Sequence, residues 1–297
     1  MNDPLSPLCD HYVKPLLLFI VLVVIAGHLY NYNTKDGYPY PFEYGLYNWE
    51  EWGEKNDKRK MRWTWKSSCL RTTAEADILG FRVFAAPYNI DENGLELKIF
   101  IDDALADRVH FVESGHKLFY YYFPGMSGRN INLRTKVSRT FNPSKLGINQ
   151  DTRDLGVAVS PVTFLRIMPT DGVGFYDWEL WGEGKSSGMP DDLPPRFRWT
   201  GMQASINVQR EFKEGGTLFL SCAHPDIDED QVLVEIMSDG DLIRRETFTD
   251  NRWKKIAIKT EEVEGSKALT LRVSRTWNPR LEGVSNDSRE LGVAVAY

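Results

Sequence analysis

Cysteine is scarce in this chain: three residues in 297, too few for a disulfide framework or a Cys-rich zinc site. A basic surplus is also missing. Lys and Arg number 36 against 42 Asp and Glu, a net charge of −6, and this argues against nucleic acid as a partner. The five histidines form no HExxH pair. Gly182-Glu183-Gly184-Lys185-Ser186 imitates the end of a phosphate loop, but the glycine required five residues before Gly184 is Glu179. Gly125-Met126-Ser127-Gly128 lacks the spacing of a nucleophile elbow. The acidic run Asp226–Asp230 opens like a calcium loop, yet Gln231 stands where its glycine belongs and Met237 where its closing glutamate belongs. Glu50, Glu51 and Glu179 sit beside tryptophans, as glycosidase acids do, but sequence cannot set the 5–9 Å separation such a pair needs (an approximate range). No catalytic, cofactor-binding or metal-binding residue is therefore assigned, and a non-enzymatic protein is expected.

Long apolar runs are absent with one exception. Leu16–Ala26 (LLLFIVLVVIA) has no polar side chain, and with Val13, Pro15 and Gly27–Leu29 it approaches the roughly 17 residues needed to span a bilayer. A cleaved signal peptide is the competing reading, but Asp3 and Asp10 oppose Lys14 before the run, and Val24-Ile25-Ala26 is a poor cleavage site. An uncleaved anchor is expected, with Tyr30 and Tyr32 at the interface. Lys14 and Lys35 fall one to a side, so charge does not orient it. A large β-rich domain after a short anchor favours placement in the cytoplasmic (inner) membrane with the following domains periplasmic.

The rest of the chain repeats itself. Gly45-Leu46-Tyr47-Asn48-Trp49-Glu50-Glu51-Trp52-Gly53 recurs as Gly174-Phe175-Tyr176-Asp177-Trp178-Glu179-Leu180-Trp181-Gly182, and Arg62-Trp63-Thr64 as Arg198-Trp199-Thr200. Ser138–Val159 recurs as Ser274–Val295 with 13 of 22 positions identical. The offset grows from 129 to 136 because the second copy has a longer loop between Glu183 and Pro195. Alternating segments such as Leu95–Ile101, Val232–Ile236, Ile256–Ile258 and Leu269–Val273, separated by turn signals, read as strands. The expected fold is all-β: two tandem homologous β-sandwich (jelly-roll-like) domains preceded by one N-terminal transmembrane helix. Its divisions are tail and anchor 1–36, first sandwich 37–160, linker 161–172 and second sandwich 173–297.

The shared motifs are expected to make the fold. Tryptophans 49, 52, 63, 178, 181 and 199 (Trp49, Trp52, Trp63, Trp178, Trp181, Trp199) are placed to plug one end of each sandwich. In the closing motif, Asp151 and Asp287 are set to accept backbone N–H bonds, and Arg153 and Arg289 to tie the loop to a carboxylate or carbonyl. The ending [Phe/Trp]-Asn-Pro…Asp-[Ser/Thr]-Arg-[Glu/Asp]-Leu-Gly-Val, with Arg-Trp-Thr near the start, resembles the β-sandwich accessory modules of bacterial cell-envelope polysaccharide proteins. That resemblance covers both repeats and not the anchor; it implies non-catalytic modules that engage glycans.

Specificity should lie where the copies differ. Copy one alone carries Phe119–Phe123, with Tyr120 and Tyr122 as expected contact residues, and the basic run Lys55, Lys58, Arg59, Lys60, Arg62. Tyr38, Tyr40, Phe42 and Tyr44 form an aromatic strap next to the anchor, expected to contact a partner or a glycan. Two functions are expected from these features. The first is a non-catalytic, membrane-anchored accessory subunit that binds an integral membrane protein complex through its anchor and first domain. The alternative is a membrane-tethered carbohydrate-binding protein of the bacterial envelope, with a polysaccharide as partner.

Overall fold

In the computed structural model, residues 43–53, 58–180, 190 and 192–297 are described. The anchor, Tyr38, Tyr40, Phe42, Lys55 and Trp181 lie outside them. Copy one contains β1 (Tyr44–Leu46), β2 (Glu50–Trp52), β3 (Arg59–Thr73), β4 (Ile78–Ala85), β5 (Leu95–Ile101), β6 (Ala104–Phe111), β7 (Gly115–Tyr122), β8 (Asn130–Val137) and β9 (Ala158–Val159), followed by β10 (Thr163–Leu165). Copy two repeats the series as β11 (Val173–Phe175), β12 (Glu179–Leu180), β13 (Arg196–Asn207), β14 (Gly216–Ser221), β15 (Val232–Ser238), β16 (Asp241–Phe248), β17 (Lys254–Ile258), β18 (Ala268–Val273) and β19 (Ala294–Ala296). The strand order is the same in both: β6-β5-β8-β3-β9-β4 with β7 beyond β4, and β16-β15-β18-β13-β19-β14-β17. All-β architecture with two sandwich-like domains is thus established.

The long strands β3 and β13 make each sheet curl. Arg62 and Trp63 pair with β9, whereas Ser67–Thr73 pair with β8, so one strand serves both layers. β13 does the same with β19 and β18. Between the layers lie alternating side chains: Leu95, Leu97 and Ile99 with Phe81 and Val83 in copy one, and Val232, Val234 and Ile236 with Leu218 and Leu220 in copy two. Residues 161–172 are not a free tether, because Thr163–Leu165 add to the edge of β4.

The geometry of the shared motifs shows what their residue types do. Thr200 Oγ1 accepts the Val293 N–H at 3.0 Å while the Thr200 carbonyl accepts the Gly292 N–H at 2.8 Å. Thr64 holds Val157 and Gly156 in the same way, at 3.1 and 2.7 Å. Each Arg-Trp-Thr therefore receives the Leu-Gly-Val of its own closing segment. The Thr200→Val variant keeps the shape but strands a buried N–H, so about 1–3 kcal/mol of stability is lost, readable in urea denaturation; an unchanged midpoint would refute this role for the hydroxyl. Arg153 grips Asp151 in a two-pronged pair (Nε to Oδ1 2.9 Å, Nη2 to Oδ2 2.6 Å) and reaches Glu50 at 2.8 Å. Arg289 repeats this with Asp287 and Glu179. The Arg153 bond holds the Asp151 carboxyl below the usual carboxylate range. Glu50 and Glu179 thereby receive a structural explanation as loop ties.

The shared tryptophans gather aromatic clusters in both copies. Trp52 and Trp63 lie 5.3 Å apart, with Phe84 and Phe141 packed around them. In copy two Trp178 meets Tyr297 and Trp199 meets Phe197, with Arg198 lying 3.6 Å over the Phe175 ring. Trp49 covers Arg62 from outside and is 42% exposed. Cys69 and Cys222 are buried, and burial pushes both thiols up, Cys69 to about 11. They behave as small apolar residues.

Candidate functional site

Both sandwiches lie in one compact unit, and they meet through surfaces that are not equivalent. Copy one offers the face of β6 and β7; copy two offers the end formed by β11, β13 and its closing segment. Glu290, 2% exposed, is the centre of one contact. Its Oε1 accepts the His110 backbone N–H at 3.0 Å and faces His110 Nδ1 at 3.0 Å, with Asn278 donating at 3.2 Å. Burial works to raise the Glu290 pKa, but the hydrogen bonds and charge of His110 overcome it and hold the carboxyl low. On the other side, the Tyr122 hydroxyl donates to Asp239 Oδ1 at 2.7 Å, and Gln203 Nε2 donates to the Tyr122 carbonyl at 3.0 Å. Asp77–Lys267 (3.6 Å) and Glu113–Arg280 (3.7 Å) add ion pairs at the rim.

Between these contacts lies a cleft of about 260 Å³. Asp107, Lys117 and Tyr120 line it from copy one; Tyr176, Gly201 and Gln203 line it from copy two, with Phe175 and Glu290 behind. Gly201 creates much of this space. Trp65 occupies the matching position of copy one, since Arg62 and Arg198 take the same register against β9 and β19. A Cβ at Gly201 would meet nothing closer than Asp107 Oδ2 and the Gly174 carbonyl, each 4.0 Å away. Asp107 is 8% exposed; its Oδ2 accepts the Tyr121 hydroxyl at 3.0 Å and its Oδ1 the Arg108 N–H at 2.9 Å. Burial pushes its carboxyl up to about 7, Glu290 adding to the rise and the two hydrogen bonds opposing it. The Tyr121 hydroxyl is pushed well up by burial and by Asp107.

The sequence pointed at β7 as a contact strand, and its residues divide. Tyr120 is half-buried and lines the cleft, its ring passing over Gly80, where a Cβ would lie 2.3 Å from it. Tyr122 is not an exposed contact residue: at 3% exposure it is sealed between the sandwiches, because its hydroxyl is the donor that caps Asp239. Phe119 and Tyr121 are likewise buried, both packed into the core of copy one. Tyr44, half-buried on β1, lies far along β3 at the register of Cys69 and takes no part in the cleft. Of the fold motif residues, Arg289 reaches its wall. Asp107, Gly201 and Gln203 were not picked out from sequence. Asp107 on an otherwise alternating strand, and Gly201 where copy one has Trp65, were the available signals. Asp226 of the acidic run is engaged by Arg275 at 2.8 Å.

No family model matches the sequence, and no curated protein does. Solved structures similar to this chain include the M60 catalytic domain with the CBM51-1 and CBM51-2 domains from Clostridium perfringens ZmpB, at 10% identity and TM-score 0.25; the match covers 89% of this chain and only 38% of that one. The N-terminal CBM22-1-CBM22-2 tandem domain of Paenibacillus barcinonensis Xyn10C is matched at 11% identity over 86% of this chain and 90% of that chain, TM-score 0.23. The ANX1 ectodomain from Arabidopsis thaliana is matched at 8% identity over 84% of this chain and 89% of that one, TM-score 0.26.

Proposed function

We propose that this chain is a non-catalytic carbohydrate-binding protein, tethered by the apolar segment Leu16–Ala26, whose two jelly-roll-like sandwiches hold a saccharide in the cleft between them. The layer order β3-β9-β4-β7 against β3-β8-β5-β6 supports the jelly-roll assignment. The observation that carries the functional reading is the character of the cleft: concave, with aromatic rings (Tyr120, Phe175, Tyr176) beside side chains that donate and accept hydrogen bonds (Gln203, Asp107). Such a mixture suits a sugar, which has an apolar face and a hydroxyl rim. At about 260 Å³ the cleft suits one ring, the remaining residues of a chain running outward. Glycan arrays on the full chain test this. Binding is expected for the wild type, with affinity lowered about tenfold in Tyr120→Ala by loss of a ring contact; no bound glycan, or binding indifferent to Tyr120→Ala, would remove the cleft from consideration.

A second reading, as accessory subunit of an integral membrane protein complex, is favoured by Trp65. Among the described residues it is 55% exposed, at the position whose copy-two counterpart, Gly201, faces copy one across the cleft. Solubilisation in mild detergent followed by size exclusion and mass spectrometry tests it. Integral membrane proteins co-migrating with the wild type and lost from Trp65→Ala support it, and migration alone overturns it.

A further inference from the structure

We propose that the inter-sandwich cleft takes a positively charged ligand group, a primary amine, seated against the carboxylate of Asp107, so that the saccharide proposed above is an amino sugar. This rests on the carbohydrate reading for the sugar, but not for the amine. A carboxylate removed from water demands a cation or a full set of donors. Among the described residues no ion pair reaches Asp107, which receives only the Tyr121 hydroxyl and one backbone N–H.

Lys117 is the nearest candidate counter-ion, and the internal repeat shows that it has another task. Its Nζ donates to the His110 carbonyl at 3.1 Å and lies 5.0 Å over the Phe111 ring. Lys254 in copy two donates to the Thr247 carbonyl at 2.6 Å and lies 4.8 Å over Phe248. The two lysines share one ladder position, opposite Val83 and Leu220 respectively. This lysine is thus a structural device of both sandwiches. Asp107 is not: at its position, opposite Ile99, copy two has Arg244 opposite Ile236, and the Tyr121 that supports it is Ile258. The Asp107–Tyr121 pair occurs only where a cleft exists.

Lys117 and Glu290 bring opposite charges to the cleft wall, and the remaining charges around it are paired. Arg289 is taken up by Asp287 and Glu179, at 2.6 and 2.7 Å. Glu290 stays ionised within its hydrogen bonds to His110 and Asn278. Tyr176, which faces both carboxylates, donates its hydroxyl to the Glu290 carbonyl at 3.1 Å and is uncharged, burial pushing it up. An ammonium group entering here meets the Asp107 carboxyl, which ionises as the cation arrives, beside the rings of Tyr120 and Tyr176. Because the Asp107 carboxyl titrates near 7, such binding weakens on acidification, when its proton competes with the amine.

The test is calorimetric titration of the full chain, wild type and Asp107→Asn, with a glucosamine trimer, its fully N-acetylated counterpart, and ethanolamine as an amine without a sugar. The expected result is at least tenfold tighter binding of the glucosamine trimer than of the acetylated one at pH 7. That preference is lost in Asp107→Asn, and wild-type affinity falls roughly tenfold at pH 5.5. Acidification can only add charge to the amines, and it leaves ethanolamine, fully protonated at both pH values, unchanged, so any fall in affinity belongs to the protein. Equal or tighter binding of the acetylated trimer overturns the amine and leaves the carbohydrate reading intact. Ethanolamine binding that depends on Asp107, with no saccharide bound on an array, supports the amine and overturns the carbohydrate reading. If none of the three compounds binds, the proposal is overturned.

Discussion

Replacing Asp107 by Asn makes the protein more stable at pH 8, by on the order of 2–4 kcal/mol, and close to neutral at pH 4. The carboxyl titrates near 7 in the folded chain and near 3.9 (approximately) when unfolded. Between those values the folded state holds a proton that the unfolded state has released. The contribution of Asp107 is therefore fully present below about pH 4 and is lost as pH rises through 7. Asn keeps its oxygen for the Arg108 N–H and turns its NH2 to the Tyr121 hydroxyl oxygen, which can accept, and it never ionises. Thermal denaturation of both proteins at pH 4, 6 and 8 reads the effect as a gap in midpoint that opens with pH, to roughly 10 °C for domains of this size. A gap that stays constant with pH, or a variant less stable than the wild type at pH 8, defeats the assignment. Asp151 and Asp287 titrate below the usual range and contribute with the opposite sign, their stability being lost as pH falls through their folded pKa values. The difference between wild type and variant cancels them. A residue that destabilises the folded chain while lining a cleft is the pattern expected where binding, and not folding, explains its presence.

Much of the fold is legible in the sequence because each copy reports on the other. The strand at Leu95–Ile101 is readable from its alternation, and the recurrence of Asp151, Arg153, Asp287 and Arg289 in the closing motif marks the residues that pair in its loops. The cleft was not legible for the complementary reason. It joins the β6–β7 face of copy one to the end of copy two, and a repeat cannot announce a contact between two unlike surfaces. Tyr120 and Tyr122 both stand where the copies differ, but only Tyr120 lines the cleft; Tyr122 is turned inward. Alternation along β7 does not distinguish a face covered by solvent from one covered by a second domain. Gly201 by itself carries no such signal, because glycine in a strand reads as a weakness or a bulge. Its meaning, space in front of Asp107, emerges only once Trp65 is set beside it.

The Gly292→Ala variant loses ~3 kcal/mol or more, the largest single loss expected in the second sandwich. Gly292 does not need a left-handed backbone; it needs room. An added Cβ would stand 2.4 Å from the Gly201 carbonyl oxygen, 2.5 Å from Thr200 Oγ1 and 3.2 Å from Val273 Cγ2. The first of these is backbone in the middle of β13, and the second is the hydroxyl that receives Val293, so neither can yield without breaking the ladder that closes the domain. Gly156 stands in the same cage, 2.6 Å from the Trp65 carbonyl and 2.7 Å from Thr64 Oγ1, so Gly156→Ala carries a matching loss in the first sandwich. Gly283→Ala is the contrasting variant. Its φ of +68° disfavours a side chain, but nothing lies within 4 Å of the added carbon, so a loss of only about 1 kcal/mol follows. Urea denaturation of the three variants ranks them directly, and a Gly292→Ala loss no greater than that of Gly283→Ala contradicts the packing argument. Because the carbonyl displaced in Gly292→Ala belongs to Gly201, the same substitution reshapes the wall facing Asp107. It is expected to weaken ligand binding at temperatures where the domain is still folded, which separates damage to the cleft from simple unfolding.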